Sequence, residues 1–404
     1  MMPLMARAAY LIGMAAALTT SPAGATDRTW AGAWGYAAAD PAADARPLPP
    51  GTYRYRATIT QKGDAIALTF SNPEPDKSIA IQSVQVALAR QGTGLDFEAR
   101  FARPVSISGL AGAVLLPGRS LRSDAIDLPV EVGSDVIVAV TFATPTRPAR
   151  TNLGWPMDFS PAGGEPQPLR ARPYLTLVTV AHPRANCTIV AFGDSITDGY
   201  LSRSTTVRGW PGRLADRLSR LPATRRCGVV NMGISGNRIL RPGRGAAALD
   251  RFANDVLAVP GVTHVVVLEG INDIGNGVGS RNDGKPASEQ DAVTAGDVVA
   301  GYRQIVARAH ASGITVIGAT MTPAKSAAYM SPAKEAVRLE VNRMIRSGTV
   351  FDAVVDFDAA VRDPQRPGEL LARFDPGDHL HPNDAGLAAM GDAIDLRLFT
   401  GGAR

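Results

Sequence analysis

The first residue whose type and setting could do chemistry is Ser195, in the run Thr188-Ile189-Val190-Ala191-Phe192-Gly193-Asp194-Ser195-Ile196-Thr197-Asp198-Gly199. Residues 188–192 are mostly β-branched or aromatic and read as a short buried strand, which Gly193 breaks. Ser195 and Asp198 have the S-x-x-D spacing of a helix start, so the serine is expected at a strand-to-helix corner, where its hydroxyl meets the positive end of a helix. A hydroxyl there is placed to attack a carbonyl carbon. The same spacing also describes an ordinary helix cap, so the chemistry requires two further parts: a base to take the serine proton and donors to hold the oxyanion.

The base has few candidates, because the chain holds five histidines. Two of them lie in Asp375-Pro376-Gly377-Asp378-His379-Leu380-His381-Pro382-Asn383. Asp378 and His381, three apart at the start of a helix, can set a carboxylate against an imidazole that faces Ser195. His379, one residue from Asp378, points elsewhere and reads as a surface neighbour. Asp378, His379 and His381 lack further His or Cys at ligand spacing, so neither a metal nor another cofactor is expected. Donors are offered after two further strand-like runs: Gly236, in Asn231-Met232-Gly233-Ile234-Ser235-Gly236-Asn237, and Asn272, in Glu269-Gly270-Ile271-Asn272-Asp273. Gly236 lets the backbone approach a ligand and Asn272 offers an amide, although each alone also reads as a turn. Asp194 and Asp273 read as braces for their loops.

These residues need a scaffold that brings four distant segments together. From residue 186 onward, strand patterns at 188–192, 228–231, 263–268, 314–320 and 353–357 alternate with helical patterns near 210–221, 247–258, 294–312, 333–346 and 383–397. Five βα units predict a parallel, three-layer α/β/α sheet, in which function collects beyond the carboxyl ends of the strands. Residues 26–184 are patterned differently. Tyr53, Tyr55, Ala57 and Ile59 alternate with Arg54, Arg56 and Thr58, and short strand runs follow at 65–71, 83–88, 105–107, 127–130, 135–142 and 174–181. No helical period competes, which predicts a β-sandwich, with 143–167 as a surface connection and a boundary near residue 184. Trp30 and Trp34 read as packing anchors.

The totals fit this plan. At 404 residues, two domains are expected; 45% hydrophobic and 20% charged residues are globular values, and a net charge of +5 without a basic patch argues against nucleic-acid binding. Arg7, the apolar run 8–18 and Ala23-Gly24-Ala25 read as a signal peptide over residues 1–25, so a secreted or periplasmic product without a membrane span is expected. Cys187 and Cys227, the only cysteines, stand at the starts of what should be neighbouring strands in an exported chain, and a disulfide between them is expected.

Gly193-Asp194-Ser195, Gly236, Gly270-x-Asn272-Asp273 and Asp378-x-x-His381 together resemble, in order and on the expected elements, the motifs of the GDSL or SGNH hydrolases over about residues 186–400. The resemblance implies a flavodoxin-like catalytic domain over 185–404 with Ser195 as nucleophile and His381 as base oriented by Asp378. It implies an oxyanion hole from the Ser195 N–H, the Gly236 N–H and the Asn272 side chain. The segment 26–184 is similar, diffusely, to the jelly-roll-like β-sandwich that precedes the catalytic domain in some secreted bacterial members. The expected activity is hydrolysis of a small-molecule or polysaccharide ester; a lipase on longer acyl chains and an acyltransferase would use the same triad. The segment 274–292 is rich in Gly, Asn, Ser, Arg, Asp and Lys, so a short acyl group, with acetyl as the expected case, on a polar alcohol such as a carbohydrate is favoured over a long chain. The oligomeric state is left open.

Overall fold

The computed structural model describes residues 28–41, 45–89, 94–95, 99–172, 174–181, 187–202, 209–275 and 292–399, with the backbone alone for 150–156. The expected signal peptide, the expected boundary near residue 184 and most of the polar segment 274–292 lie outside these residues.

The described residues of the first half form eleven strands and one 3-10 turn at Ala99–Phe101: β1 Trp30–Gly35, β2 Gly51–Thr58, β3 Ala65–Ser71, β4 Ile79–Leu88, β5 Arg103–Val105, β6 Ala113–Leu115, β7 Ser120–Arg122, β8 Asp135–Phe142, β9 Arg150–Pro161, β10 Gln167–Ala171 and β11 Leu175–Ala181. Two antiparallel sheets, ordered β1-β11-β3-β7 and β10-β9-β2-β8-β4-β5 with β6 beside β4, close on one core. The alternation in β2 places Tyr53, Tyr55 and Ala57 in that core and Arg54, Arg56 and Thr58 outside it. Two expectations are corrected. Residues 127–130 form no strand of their own and only bridge Val130 to Gly63. Residues 143–167 are not merely a connection, because β9 occupies twelve residues of that stretch and runs antiparallel between β2 and β10. Pro156 and Gly154 mask the strand in the sequence, yet Met157 and Phe159 are buried and alternate with Asp158 and Ser160, and hydrogen bonding from strands on both sides overrides weak local propensity.

The second half alternates as expected: β12 Thr188–Gly193, α1 Ser195–Asp198, α2 Gly209–Ser219, β13 Gly228–Gly233, α3 Ala248–Phe252, β14 Val262–Leu268, α4 Ile271–Gly275, α5 Ala295–His310, β15 Thr315–Ala319, α6 Pro332–Arg346, β16 Ala353–Val355, α7 Phe357–Val361 and α8 Asp384–Ala393. The five strands pair in parallel in the order β13-β12-β14-β15-β16, which is the flavodoxin-like order 2-1-3-4-5. Each strand buries both faces. Val190, Phe192, Val265 and Val267 pack towards α3, α5 and α6, while Ile189, Ala191, Val266 and Leu268 pack towards α2, α7 and α8, giving three layers. The strand order reverses between β12 and β14, so a crevice opens at their carboxyl ends, where Ser195 and Asn272 follow.

The two halves are not strung loosely. β1 lies along β13, the edge strand of the parallel sheet: Tyr36 bridges Asn231 in parallel, the Gly32 N–H donates to Thr188 Oγ1 (2.9 Å), and Thr60 Oγ1 both accepts from the Val229 N–H (2.9 Å) and donates to the Val229 carbonyl (3.1 Å). The edge is thereby covered rather than left open. Ala37, Ala39 and Leu177 from the first half also enter the core on one face of the parallel sheet.

Cys187 and Cys227 form a disulfide that closes 40 residues between the starts of β12 and β13. Closing a loop of that length stabilises by about 4 kcal/mol in the chain-entropy model. Reduction under native conditions is therefore expected to lower Tm by several degrees in calorimetry; an unchanged Tm with two free thiols present would refute that contribution.

Candidate active site

Ser195 stands where β12 gives way to α1. Asp194 makes the corner: it is the residue before the first helical one, and its Oδ1 accepts from the Ile196 N–H (2.9 Å). The S-x-x-D spacing suggests Ser195 as the cap and Asp198 as its partner, and here the structure differs. Ser195 is already helical, its Oγ lies 2.8 Å from His381 Nε2, and Asp198 turns its carboxylate away from the helix end. Gly193 is required by the tightness of the corner, since a Cβ there would lie 2.1 Å from Thr197 Oγ1 and 2.5 Å from the Leu268 carbonyl oxygen.

His381 comes from the loop that precedes α8. Asp375 and Asp378 fold that loop: Asp375 Oδ1 accepts from the N–H groups of Gly377 and His379, and Asp378 Oδ1 accepts from those of Leu380 and His381. Asn383 ends it by capping α8 through the N–H groups of Ala385 and Gly386. Asp378 Oδ2 lies 2.6 Å from His381 Nδ1. An Nδ1–H donating to that carboxylate leaves Nε2 as an acceptor for the serine proton. Burial alone would raise the Asp378 carboxyl, but the hydrogen bonds from the His381 ring and backbone outweigh it and hold the carboxyl below its ordinary value. His379 pairs with Asp375 (2.6 Å) on the exposed side of the loop.

Gly236 and Asn272 follow the two strands that flank β12. Gly236 has φ +78°, a conformation that favours glycine, and its loop is held to the serine strand by the Ile234 N–H donating to the Gly193 carbonyl (2.9 Å). Asn272 Nδ2 donates to the Asn237 carbonyl (2.9 Å), so the two loops are joined. An amide nitrogen carries two hydrogens, and the second is left for another acceptor. Asp273 braces the same junction by accepting from the N–H groups of Ile239 and Leu240.

Below these loops lies a buried group of charges that the motifs do not reveal. Arg251, from α3, donates to the carbonyls of Gly193 and Met232, to Asn237 Oδ1 and to Asp255, reaches Glu269 at 3.4 Å, and covers the Phe192 ring. One guanidinium thus ties the ends of β12 and β13 to the residue that follows β14. Burial, together with the charge of Asp273, pushes the Asp194 carboxyl up to about 7, and burial and the charge of Asp194 raise Glu269 well above its ordinary value. Tyr200, also unmarked by any motif, tilts over the His381 ring with centroids 4.2 Å apart. An aromatic directly after the serine turn is the signal that points to Tyr200, whereas an arginine within a helix carries none, because such residues are usually solvated.

Residues 191–389 match the GDSL-like Lipase/Acylhydrolase family. Among solved structures the chain is similar to an acetylxylan esterase from Geobacillus stearothermophilus (22% identity, 51% of this chain and 91% of that one, TM-score 0.39). It is also similar to a GDSL-like lipase from Bacteroides thetaiotaomicron VPI-5482 (20% identity, 52% and 87%, TM-score 0.38) and to an α/β hydrolase from the metagenome of Lake Arreo, Spain (23% identity, 52% and 93%, TM-score 0.38). At this distance these likenesses say nothing of the substrate. No protein of curated function matches the chain. With a three-layer sheet of the flavodoxin-like order and the family match on the elements around Ser195, the chain is a carboxylic ester hydrolase whose residues 191–389 form a GDSL-like lipase/acylhydrolase domain.

Proposed function

We propose that the protein is an exported serine esterase that hydrolyses short-chain acyl esters, acetyl esters of carbohydrate above all, through Ser195, His381 and Asp378. The observation that carries the reading is the continuous contact from Ser195 Oγ to His381 Nε2 (2.8 Å) and from His381 Nδ1 to Asp378 Oδ2 (2.6 Å). His381 Nε2 accepts the hydroxyl proton as Ser195 Oγ bonds to the ester carbonyl carbon, and the carbonyl π pair moves to oxygen. The Ser195 N–H, the Gly236 N–H and the Asn272 amide stabilise that oxyanion. The intermediate collapses, the alcohol leaves with the proton from His381, and water releases the acyl group from Ser195 by the same steps. Asp378 orients the imidazole and stabilises its charged form.

Export is supported by the leader-like residues 1–25 and by the disulfide. No helix among the described residues is long and apolar enough to cross a membrane. The short acyl group is supported by the polar sequence of 274–292 and by the distribution of apolar surface. Among the described residues the exposed large apolar side chains are Leu88, Phe101, Leu110, Val114 and Leu116 in the first half and Leu339 on α6, with none on the loops that carry Gly236, Asn272 or His381. A long acyl chain needs a continuous apolar wall, because each buried methylene contributes about 0.8 kcal/mol. In a series of p-nitrophenyl esters, kcat/KM is expected to peak from acetyl to butyryl and to fall beyond about six carbons. Acetate release from acetylated polysaccharide is expected alongside. A preference for decanoyl or longer esters, with no acetate released, would instead favour a lipase.

A further inference from the structure

Asp198 follows Ser195 by one helical turn, and its carboxylate is held by residues from the other half of the chain. Tyr36 Oη donates to Oδ1 (2.9 Å) and Arg172 Nη2 donates to Oδ2 (2.5 Å). Arg172 also donates to the carbonyls of Ala37 (2.9 Å) and Gly233 (3.1 Å), and its guanidinium lies 4.3 Å from the centroid of the Tyr36 ring. This ion pair is closed to water, with the side chains of Arg172 and Asp198 exposed by 4% and 5%. Asp198 Oδ2 has two more donors, the Ser235 hydroxyl (2.6 Å) and the Ser235 N–H (3.2 Å). Ser235 immediately precedes Gly236. One carboxylate therefore joins three things: the short helix that begins at Ser195, the loop that carries Gly236, and the β-sandwich.

We propose that Arg172 and Tyr36 are positioning residues for the esterase reaction, so that the sandwich is a working part of the catalytic unit and fixes the distance between Ser195 and the Gly236 loop through Asp198. The inference rests on the reading of Ser195 as nucleophile and Gly236 as an oxyanion donor. The physical reason is tolerance. α1 is four residues long and too short to hold its own orientation, and an oxyanion hole works only when its donors are fixed within about half an ångström of the productive geometry. A buried carboxylate without its guanidinium would protonate or turn towards water. Either change releases Ser235 and, with it, the amide of Gly236. Because ester and oxyanion differ in how strongly they engage those donors, the loss should appear in kcat rather than in KM.

The test compares Arg172→Ala, Tyr36→Phe and Ser235→Ala in the full chain on a short p-nitrophenyl ester, with Tm measured beside the kinetics. Arg172→Ala is expected to lower kcat by roughly 10- to 100-fold with KM within about twofold, and Tyr36→Phe and Ser235→Ala by roughly 3- to 10-fold. Millimolar guanidinium should restore part of the kcat of Arg172→Ala and do nothing for the wild type, which a merely structural role would not produce. A folded Arg172→Ala with wild-type kcat, or one whose loss guanidinium does not touch, overturns the proposal. If that variant does not fold, unchanged kcat in both Tyr36→Phe and Ser235→Ala overturns it. Ser195→Ala separates the two levels: activity surviving there removes the esterase reading itself, whereas activity lost there but kept in the clamp variants removes only the role of the sandwich.

Discussion

Ser195→Ala and His381→Ala are each expected to lower kcat by about 10⁴ or more, with the folded state intact. In the proposed mechanism the two groups act in one step, because a serine hydroxyl is a poor nucleophile until a base takes its proton, and His381 Nε2 lies 2.8 Å from Ser195 Oγ. Either replacement removes that step entirely. The double variant should therefore be hardly slower than either single one, and kcat measured on the three variants checks this. Effects that multiplied would mean that Ser195 and His381 serve separate steps.

Asn272→Ala is expected to lose roughly 10²–10³ in kcat, the size of one oxyanion donor, with KM little changed. Asn272 also donates to the Asn237 carbonyl, so part of any effect could come from a loosened junction between the loops after β13 and β14. The two causes separate in the ratio of kcat to KM and in Tm. Loss of a transition-state donor lowers kcat alone, whereas a loosened junction raises KM and lowers Tm as well. Steady-state kinetics with a short ester, beside calorimetry, decide between them.

The scaffold is legible in the sequence because the parallel strands are buried on both faces, and Val190, Phe192, Val265 and their neighbours leave a continuous apolar run bounded by glycine. The contact between Ser195, His381 and Asp378 is legible for a different reason: a rare residue type, histidine, recurs beside a carboxylate where a loop enters a helix. What the sequence hides is whatever depends on tertiary pairing. β9 contains Gly154 and Pro156, which hide it in the sequence, and it is a strand because β2 and β10 flank it. Arg172 and Tyr36 lie 26 and 162 positions from Asp198, and no local spacing announces that they meet it. Asp198 itself reads as a helix cap partner until the structure turns it towards them. Arg251 is concealed likewise, since a charged residue in a helix is usually a solvated one and here it binds the ends of two strands and the residue after a third.

Treatment with a fluorophosphonate probe, followed by mass mapping of the modified peptide, tests the assignment of Ser195 as nucleophile most directly. A single adduct on the peptide that contains Ser195 is expected, absent from Ser195→Ala and formed far more slowly in His381→Ala. An adduct on another residue, or labelling undiminished in Ser195→Ala, would contradict it.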